Sequence, residues 1–219
     1  MKKLLAISLL AIVVGLTGCS SEETSSKENG SATEAKTETK VQSRDEVELA
    51  DNEILVIDEE TGETEKLIAE ATKEEITGVT FKIPTGYKIV KDDLGGDFAN
   101  IEAPYGSYIS FAISTITNAT KEDIVNMPTF DAVLDTKYND RSIDESYDLV
   151  DISSYNDDFV KNNMIYMVTY TPLSSKYKKA VAGVFTSGDR FYDFEIGLGN
   201  NDYSDDVVAT TFGILAAVK

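Results

Sequence analysis

Three stretches in the C-terminal third decide the fold: 164-MIYMVTYT-171, 180-AVAGVFT-186 and 190-RFYDFEIGL-198. From Tyr192 onward, one face of the third stretch carries large apolar side chains: Tyr192, Phe194, Ile196 and Leu198. This period of two is typical of a β-strand with one buried face. The first stretch is apolar at odd and even positions, which indicates a central strand covered on both faces. The turn signal 187-SGD-189 joins the other two stretches, so they predict an antiparallel hairpin.

Further elements are predicted upstream and downstream of these stretches. Four upstream strands are bounded by turn residues: 79–83, 87–90, 98–103 and 107–116. A helix is expected from Thr120, broken or restarted at Pro128 because proline lacks the N–H of the helical ladder. A weak strand is predicted around 149–152. The chain closes with a helix that starts near 204–206, where acidic residues suit a helix N-terminus.

This order of elements predicts an α+β fold over residues 76–219. Strands joined by short turns pair antiparallel, and the helices must cover the faces of the sheet. We therefore expect an antiparallel β-sheet of about six to eight strands flanked by helices, an α/β/α sandwich.

The opening of this region resembles a known family. The run Gly78-Val-Thr-Phe81-Lys-Ile-Pro84-Thr-Gly86-Tyr87 is similar to the entry of PsbP-like domains, which usually reads Phe-x-x-Pro-x-Gly-Trp, with Tyr87 here in the place of Trp. The final helix with Phe212-x-x-Leu215, following a hairpin, also resembles that family. The resemblance covers roughly 76–219 and implies a PsbP-like fold. It also implies a non-catalytic module that holds a protein partner.

The N-terminal part of the chain has a different composition. All eleven Tyr, nine Phe and four Pro lie at or after Phe81. Residues 19–50 are rich in Ser, Thr, Glu and Lys and are predicted to be a disordered acidic tether. Residues 51–75 leave two structures open: a hairpin that turns at Gly62, or a helix over 63–75. An isolated hairpin is marginal in water, so it would have to dock on the following domain.

Residues 1–18 read as a signal peptide. Lys2 and Lys3 precede an apolar run of about thirteen residues, shorter than the roughly twenty needed to span a bilayer. The run ends in Leu16-Thr17-Gly18-Cys19, which resembles the lipobox of bacterial lipoproteins. The resemblance implies cleavage before Cys19, with diacylglycerol and palmitate chains carried by this residue. Two or more acyl chains anchor a protein stably to a membrane.

The composition excludes several classes of function. The chain contains no His, which removes His-based acid–base catalysis, His-activated nucleophiles and His-ligated metals. One Cys excludes an internal disulfide framework. The formal net charge is −19, so nucleic acid and anionic lipid surfaces are not expected as partners. No cofactor motif is present, and no cofactor is predicted.

Three sets of residues are candidates for chemistry or recognition. Asp193 and Glu195 share one face of a strand, where paired carboxylates can hydrolyse glycosidic bonds; the alternative is a solvated face paired with Lys88 or Lys91. The acidic loops 199–206 and 92–97 offer the oxygen ligands that calcium prefers, although helix capping and turn formation explain the same residues. A Tyr-rich recognition surface is the third set: Tyr105, Tyr108, Tyr138, Tyr147, Tyr155 and Tyr177.

Together these features predict a membrane-anchored lipoprotein on the outer face of a bacterial cell membrane. We expect a non-catalytic binding or accessory module whose partner is an envelope or extracellular protein with a basic surface. The alternatives are a small-ligand or calcium-binding receptor and a carboxylate-based cell-wall glycan hydrolase. The sequence does not distinguish a Gram-positive from a Gram-negative envelope.

Overall fold

The helices and strands of the chain were obtained from a computed structural model that describes residues 43–73, 79–90, 98–113, 121–127, 130–199 and 204–219. Its strands in these ranges are β1 (Glu53–Ile57), β2 (Thr64–Lys73), β3 (Thr80–Pro84), β4 (Lys88–Val90), β5 (Phe98–Glu102), β6 (Tyr108–Ile113), β7 (Asp148–Leu149), β8 (Met164–Tyr170), β9 (Lys179–Ser187) and β10 (Arg190–Leu198). Its α-helices there are α1 (Lys121–Val125), α2 (Phe130–Tyr138), α3 (Asp158–Asn163) and α4 (Ser204–Ala216). All of these residues belong to one unit, Glu38–Lys219.

The stretches quoted first form one half of a seven-stranded antiparallel sheet. Its strand order is β4-β5-β6-β10-β9-β8-β7. The predicted hairpin is present as β9 and β10, with Phe194 opposite Gly183, and β10 continues the sheet to β6. Buried residues occupy both faces of β8, as predicted, but β8 is next to the sheet edge rather than central. The α+β class and the antiparallel sheet are thus confirmed.

A second, three-stranded sheet contains the region whose structure the sequence left open. β1 and β2 form an antiparallel hairpin, and β2 pairs in turn with β3. Of the two alternatives for residues 51–75, the structure therefore has the hairpin. The hairpin persists because it docks: Ile54, Leu55 and Ile57 are buried, and β1 packs against α4. The folded part of the chain accordingly begins well before residue 76.

Residues 43–50, assigned to the tether from their composition, also lie against the folded part. A 3-10 turn over Arg44–Glu46 brings the Arg44 side chain to Asp157, and Ser43 Oγ donates to Asp158. Ion pairing and hydrogen bonds hold this segment in place, rather than apolar burial. Its polar composition is therefore compatible with an ordered structure. We call residues 43–50 the strap.

Layers on both sides of the large sheet hold the core. One face packs against α4 and the small sheet, where Phe81 of β3 meets Phe111 of β6 edge-to-face with ring centroids 5.0 Å apart. The other face is covered at β8 and β9 by α1 and α2, through Leu134 and Tyr138. No helix in the described part of the chain is long and apolar enough to cross a membrane.

Candidate functional site

A pocket on the folded part lies where three elements meet. Its volume is about 980 Å³. One wall is the end of the β1–β2 hairpin, the second is Ser154 and Tyr155, and the third is the start of α4. We call this the acidic pocket because seven carboxylates line it: Asp58, Glu59, Glu60, Glu63, Glu65, Asp205 and Asp206.

The hairpin wall is shaped by a turn that Asp58 organises. Asp58 Oδ1 accepts hydrogen bonds from the backbone N–H of Glu60 at 3.1 Å and of Thr61 at 2.6 Å, and from Thr61 Oγ1 at 2.7 Å. Gly62 closes the turn at φ +72°, a conformation that glycine adopts without strain. The Thr61 N–H bond lowers the pKa of Asp58, so its carboxylate stays charged at neutral pH.

Glu59 joins two walls of the pocket. Its Oε2 accepts from the backbone N–H of Asn156 at 2.7 Å, and its own carbonyl accepts from Asn156 Nδ2 at 2.8 Å. Its Oε1 is buried and has no hydrogen-bond partner among the described residues. Burial raises the pKa of Glu59, and the nearby Asp157 carboxylate adds to the rise. A negative charge is therefore held here at a free-energy cost.

The remaining lining is apolar or neutral. Val56, Val208 and Ala209 lie among the carboxylates, and Tyr155 packs edge-to-face on Phe212 with centroids 5.9 Å apart. Burial and the charges of Glu59 and Asp205 raise the pKa of Tyr155 to about 12, so the phenol keeps its proton at neutral pH. No Lys or Arg is among the described residues that line the pocket. The surface thus combines negative charge with short apolar strips, which suits basic side chains with aliphatic stems.

Asp193 and Glu195 share one face of β10, as the sequence predicts, but each is taken up by a base. Lys137 of α2 forms an ion pair with Asp193, and Arg141 Nη1 lies 3.1 Å from Glu195 Oε2. Tyr108 also donates to Glu195. The partners are thus Lys137 and Arg141, rather than Lys88, and Lys91 lies outside the described residues. This arrangement corresponds to the ion-paired alternative for these carboxylates.

The six candidate tyrosines do not form one exposed surface. Tyr138 is 1% exposed and Tyr105 is 51% exposed, and the other four are half-buried. The rings of Tyr108 and Tyr177 meet at 4.6 Å, whereas Tyr155 lies at the acidic pocket. Most of these tyrosines are thus partly buried in separate places, rather than exposed on a common recognition surface.

Several predicted features fall outside the described residues. These are the signal peptide, the lipobox with Cys19, the tether up to residue 42, the acidic loop 92–97, and residues 200–203 of the second acidic loop. Of that second loop, Asp205 and Asp206 are placed in the first turn of α4. Across the ranges that the structure does describe, no group of three or more acidic or Cys side chains is arranged to hold a metal ion.

Sequence reasoning missed the acidic pocket as a site. The run 58-DEE-60 and the acids at 205–206 were both visible, but they are about 145 positions apart in the chain. Their proximity depends on the packing of β1 against α4, which no local pattern predicts. The hairpin alternative for 51–75 does contain a signal for this site. A docked hairpin would place the acidic turn at 58–60 on the surface of the domain.

No protein-family model matches the chain, and no curated protein matches it. Among solved structures, the chain is similar to the cyanobacterial PsbP (CyanoP) of Synechocystis sp. PCC 6803, at 15% identity and a TM-score of 0.42, over 69% of this chain and 91% of that one. That protein is a PsbP, the family that the motif at 78–87 resembles.

Two other solved structures are similar to the chain. The Ran-binding protein Mog1p of Saccharomyces cerevisiae matches at 8% identity and a TM-score of 0.42, over 70% of this chain and 95% of that one. A protein from Bacteroides thetaiotaomicron VPI-5482 matches at 9% identity and a TM-score of 0.40, over 68% of this chain and 47% of that one. This chain thus spans less than half the length of the Bacteroides protein.

Proposed function

We propose that this chain is a membrane-anchored, non-catalytic binding module on the outer face of a bacterial cell membrane. Its acidic pocket receives a basic segment of an envelope or extracellular protein. The observation that carries the proposal is the pocket itself, with seven carboxylates and no basic side chain among the described residues that line it. Complementary charge of this kind speeds encounter and fixes the orientation of a partner.

Two features favour binding over hydrolysis. The carboxylates that share a strand face, Asp193 and Glu195, are each engaged by a basic side chain. A catalytic carboxylate needs direct access to the substrate, and these ion pairs occupy both carboxylates. The pocket carboxylates, in contrast, have no Lys or Arg among the described residues that line the pocket with them, which suits a basic partner.

The membrane anchor is supported by the lipobox at Leu16-Thr17-Gly18-Cys19. We expect radiolabelled palmitate to label the wild-type protein in growing bacterial cells and not to label a Cys19→Ala variant, because lipidation needs this thiol. A Ser20→Ala variant is the matched control and should still be labelled. Label that remained on Cys19→Ala would contradict the anchor.

The basic partner can be tested with a lysine decapeptide as the probe. In a soluble chain of residues 20–219, we expect the pocket variant E63Q/E65Q to weaken binding roughly fivefold, from about 0.5 kcal/mol for each exposed charge. The charge-matched control E102Q/E122Q neutralises two exposed carboxylates that do not line the pocket. Equal weakening by both variants would mean that only net charge matters and would overturn the proposal.

A further inference from the structure

Arg44 of the strap links β1 to the segment that follows Tyr155, and both adjoin walls of the acidic pocket. Its Nη1 donates to the carbonyl of Leu55 in β1 at 2.8 Å. Its Nε donates to Asp157 Oδ1 at 2.6 Å, and its Nη2 pairs with Asp157 Oδ2. Asp157 is the N-cap of α3, where it accepts from Phe159 N–H at 2.9 Å. One guanidinium thus links β1 to the start of α3.

Both ends of this bridge lead directly into the pocket. Leu55 precedes Val56, which lines the hairpin wall, and Asp157 follows Tyr155 and Asn156 of the second wall. A second link between the same walls runs through Glu59, which accepts from Asn156 N–H. Contacts at Arg44 and at Glu59 thus link the two walls directly.

The Arg44 contact is built for a guanidinium. The Asp157 side chain is 1% exposed and that of Arg44 is 14% exposed, so the pair is shielded from water. A planar fork donates to a carboxylate and to a carbonyl at the same time, which a lysine ammonium does not do with the same geometry. Arg44 also lies over the Phe159 ring, with its guanidinium carbon 5.9 Å from the centroid.

We propose that Arg44 is a positioning residue for the acidic pocket: it fixes the distance between the hairpin wall and the wall at Tyr155. The inference rests on the proposed function, because it concerns the affinity of the same pocket. With this role of Arg44, the strap, which continues into the predicted tether, contributes to the affinity of the binding module. The segment that leads toward the anchor would then also set the geometry of the binding site.

The direction in which one substitution changes the binding affinity separates positioning from simple electrostatics. Arg44→Gln makes the protein more negative and leaves Asp157 uncompensated, so electrostatics alone predicts tighter binding of the lysine decapeptide. Positioning predicts weaker binding, by roughly threefold or more, which is within the range for residues that do not touch the ligand. Arg190→Gln is the matched control, since Arg190 is exposed and does not line the pocket. We expect it to leave affinity unchanged or slightly raised.

A second variant keeps the test decisive if Arg44→Gln does not fold. Arg44→Lys retains the charge that Asp157 requires but loses the fork, so we expect weaker binding of the decapeptide. We also expect faster hydrogen exchange at the Asn156 and Asp157 amides, which face Glu59. Wild-type affinity and wild-type exchange in Arg44→Lys would overturn the inference, as would tighter binding by Arg44→Gln.

The two proposals fail in different ways. If E63Q/E65Q binds the decapeptide like its charge-matched control, the pocket is not the binding site and the proposed function fails. If E63Q/E65Q weakens binding as expected while Arg44→Lys binds like the wild type, the pocket stands and the positioning role of Arg44 fails.

Discussion

At the scale of single residues, Glu59 combines a raised pKa with a buried carboxylate oxygen. One carboxylate oxygen accepts from the Asn156 backbone, and the other is buried without a partner among those residues. Asp157 adds a second negative charge nearby, which Arg44 compensates. Burying a charge without full hydrogen bonding is destabilising, so one of the residues that line the pocket destabilises the fold.

Glu59→Gln should therefore stabilise the folded chain at pH 7. The folded-state pKa is raised above its ordinary value of 4.5, so between those two values the folded state binds more protons than the unfolded state. The unfolding free energy of the wild type thus falls as pH rises through that interval, and it recovers as pH falls. Gln at position 59 does not titrate and removes this loss.

The measurement is a series of thermal melts from pH 4 to pH 7. We expect a higher Tm for Glu59→Gln at pH 7 and a smaller difference near pH 4, with each 1 kcal/mol worth roughly 2–4 °C in a protein of this size. Glu60→Gln removes a neighbouring exposed charge and is the matched control. A difference in Tm between Glu59→Gln and the wild type that stayed constant from pH 4 to pH 7 would contradict the raised pKa of Glu59.

At the scale of elements, the β1–β2 hairpin is part of the fold rather than an appendage. Gly213 of α4 lies so close to β1 that a Cβ there would stand 2.7 Å from the Leu55 carbonyl oxygen. The same carbonyl accepts from Arg44. β2 in turn supplies the pairing partner of β3, whose Phe81 is fully buried.

We accordingly expect a chain of residues 43–219 to melt cooperatively and a chain of 76–219 not to. The shorter chain loses three buried β1 side chains, Ile54, Leu55 and Ile57, and loses the strand that pairs with β3. Large apolar-to-Ala changes in cores already cost about 2–5 kcal/mol each, which compares with the total stability of a domain. Circular dichroism and calorimetry would check this, and a cooperative melt of 76–219 would contradict it.

The elements also show how much of the fold was predictable. β9 and β10 follow from alternation and a Ser-Gly-Asp turn, because these signals are local. The short helix α3 was not predicted, since six residues give too little periodicity. The strap has the composition of a tether, and its order depends on a contact between Arg44 and an aspartate 113 positions away. No local pattern predicts such a contact. The pocket was missed for the same reason, since its walls come from three distant segments.

At the scale of the whole molecule, negative charge dominates. The formal net charge is −19, and seven of the carboxylates share one pocket. Repulsion among like charges destabilises a compact state, and salt screens it over a Debye length of about 10 Å at 0.1 M. The electrostatic features that favour a basic partner therefore oppose folding in its absence.

Raising ionic strength from about 0.01 M to about 0.15 M should increase the Tm of the soluble chain, because screening reduces this repulsion. Sodium chloride and choline chloride should act alike, since screening does not depend on the cation. The E63Q/E65Q variant should respond less than the wild type. A fall in Tm with salt would contradict the argument, and a larger rise with millimolar calcium at equal ionic strength would indicate specific ion binding.

The contact between α4 and the small sheet also constrains when the chain is able to fold. α4 packs on β1 and β3, and Lys219 exchanges two backbone hydrogen bonds with Thr80, each 2.9 Å long. The apolar face of β1 and β3 is thus covered only when residues 204–219 are in place. The small sheet and α4 are therefore stable only together, so the two ends of the folded part form one cooperative unit.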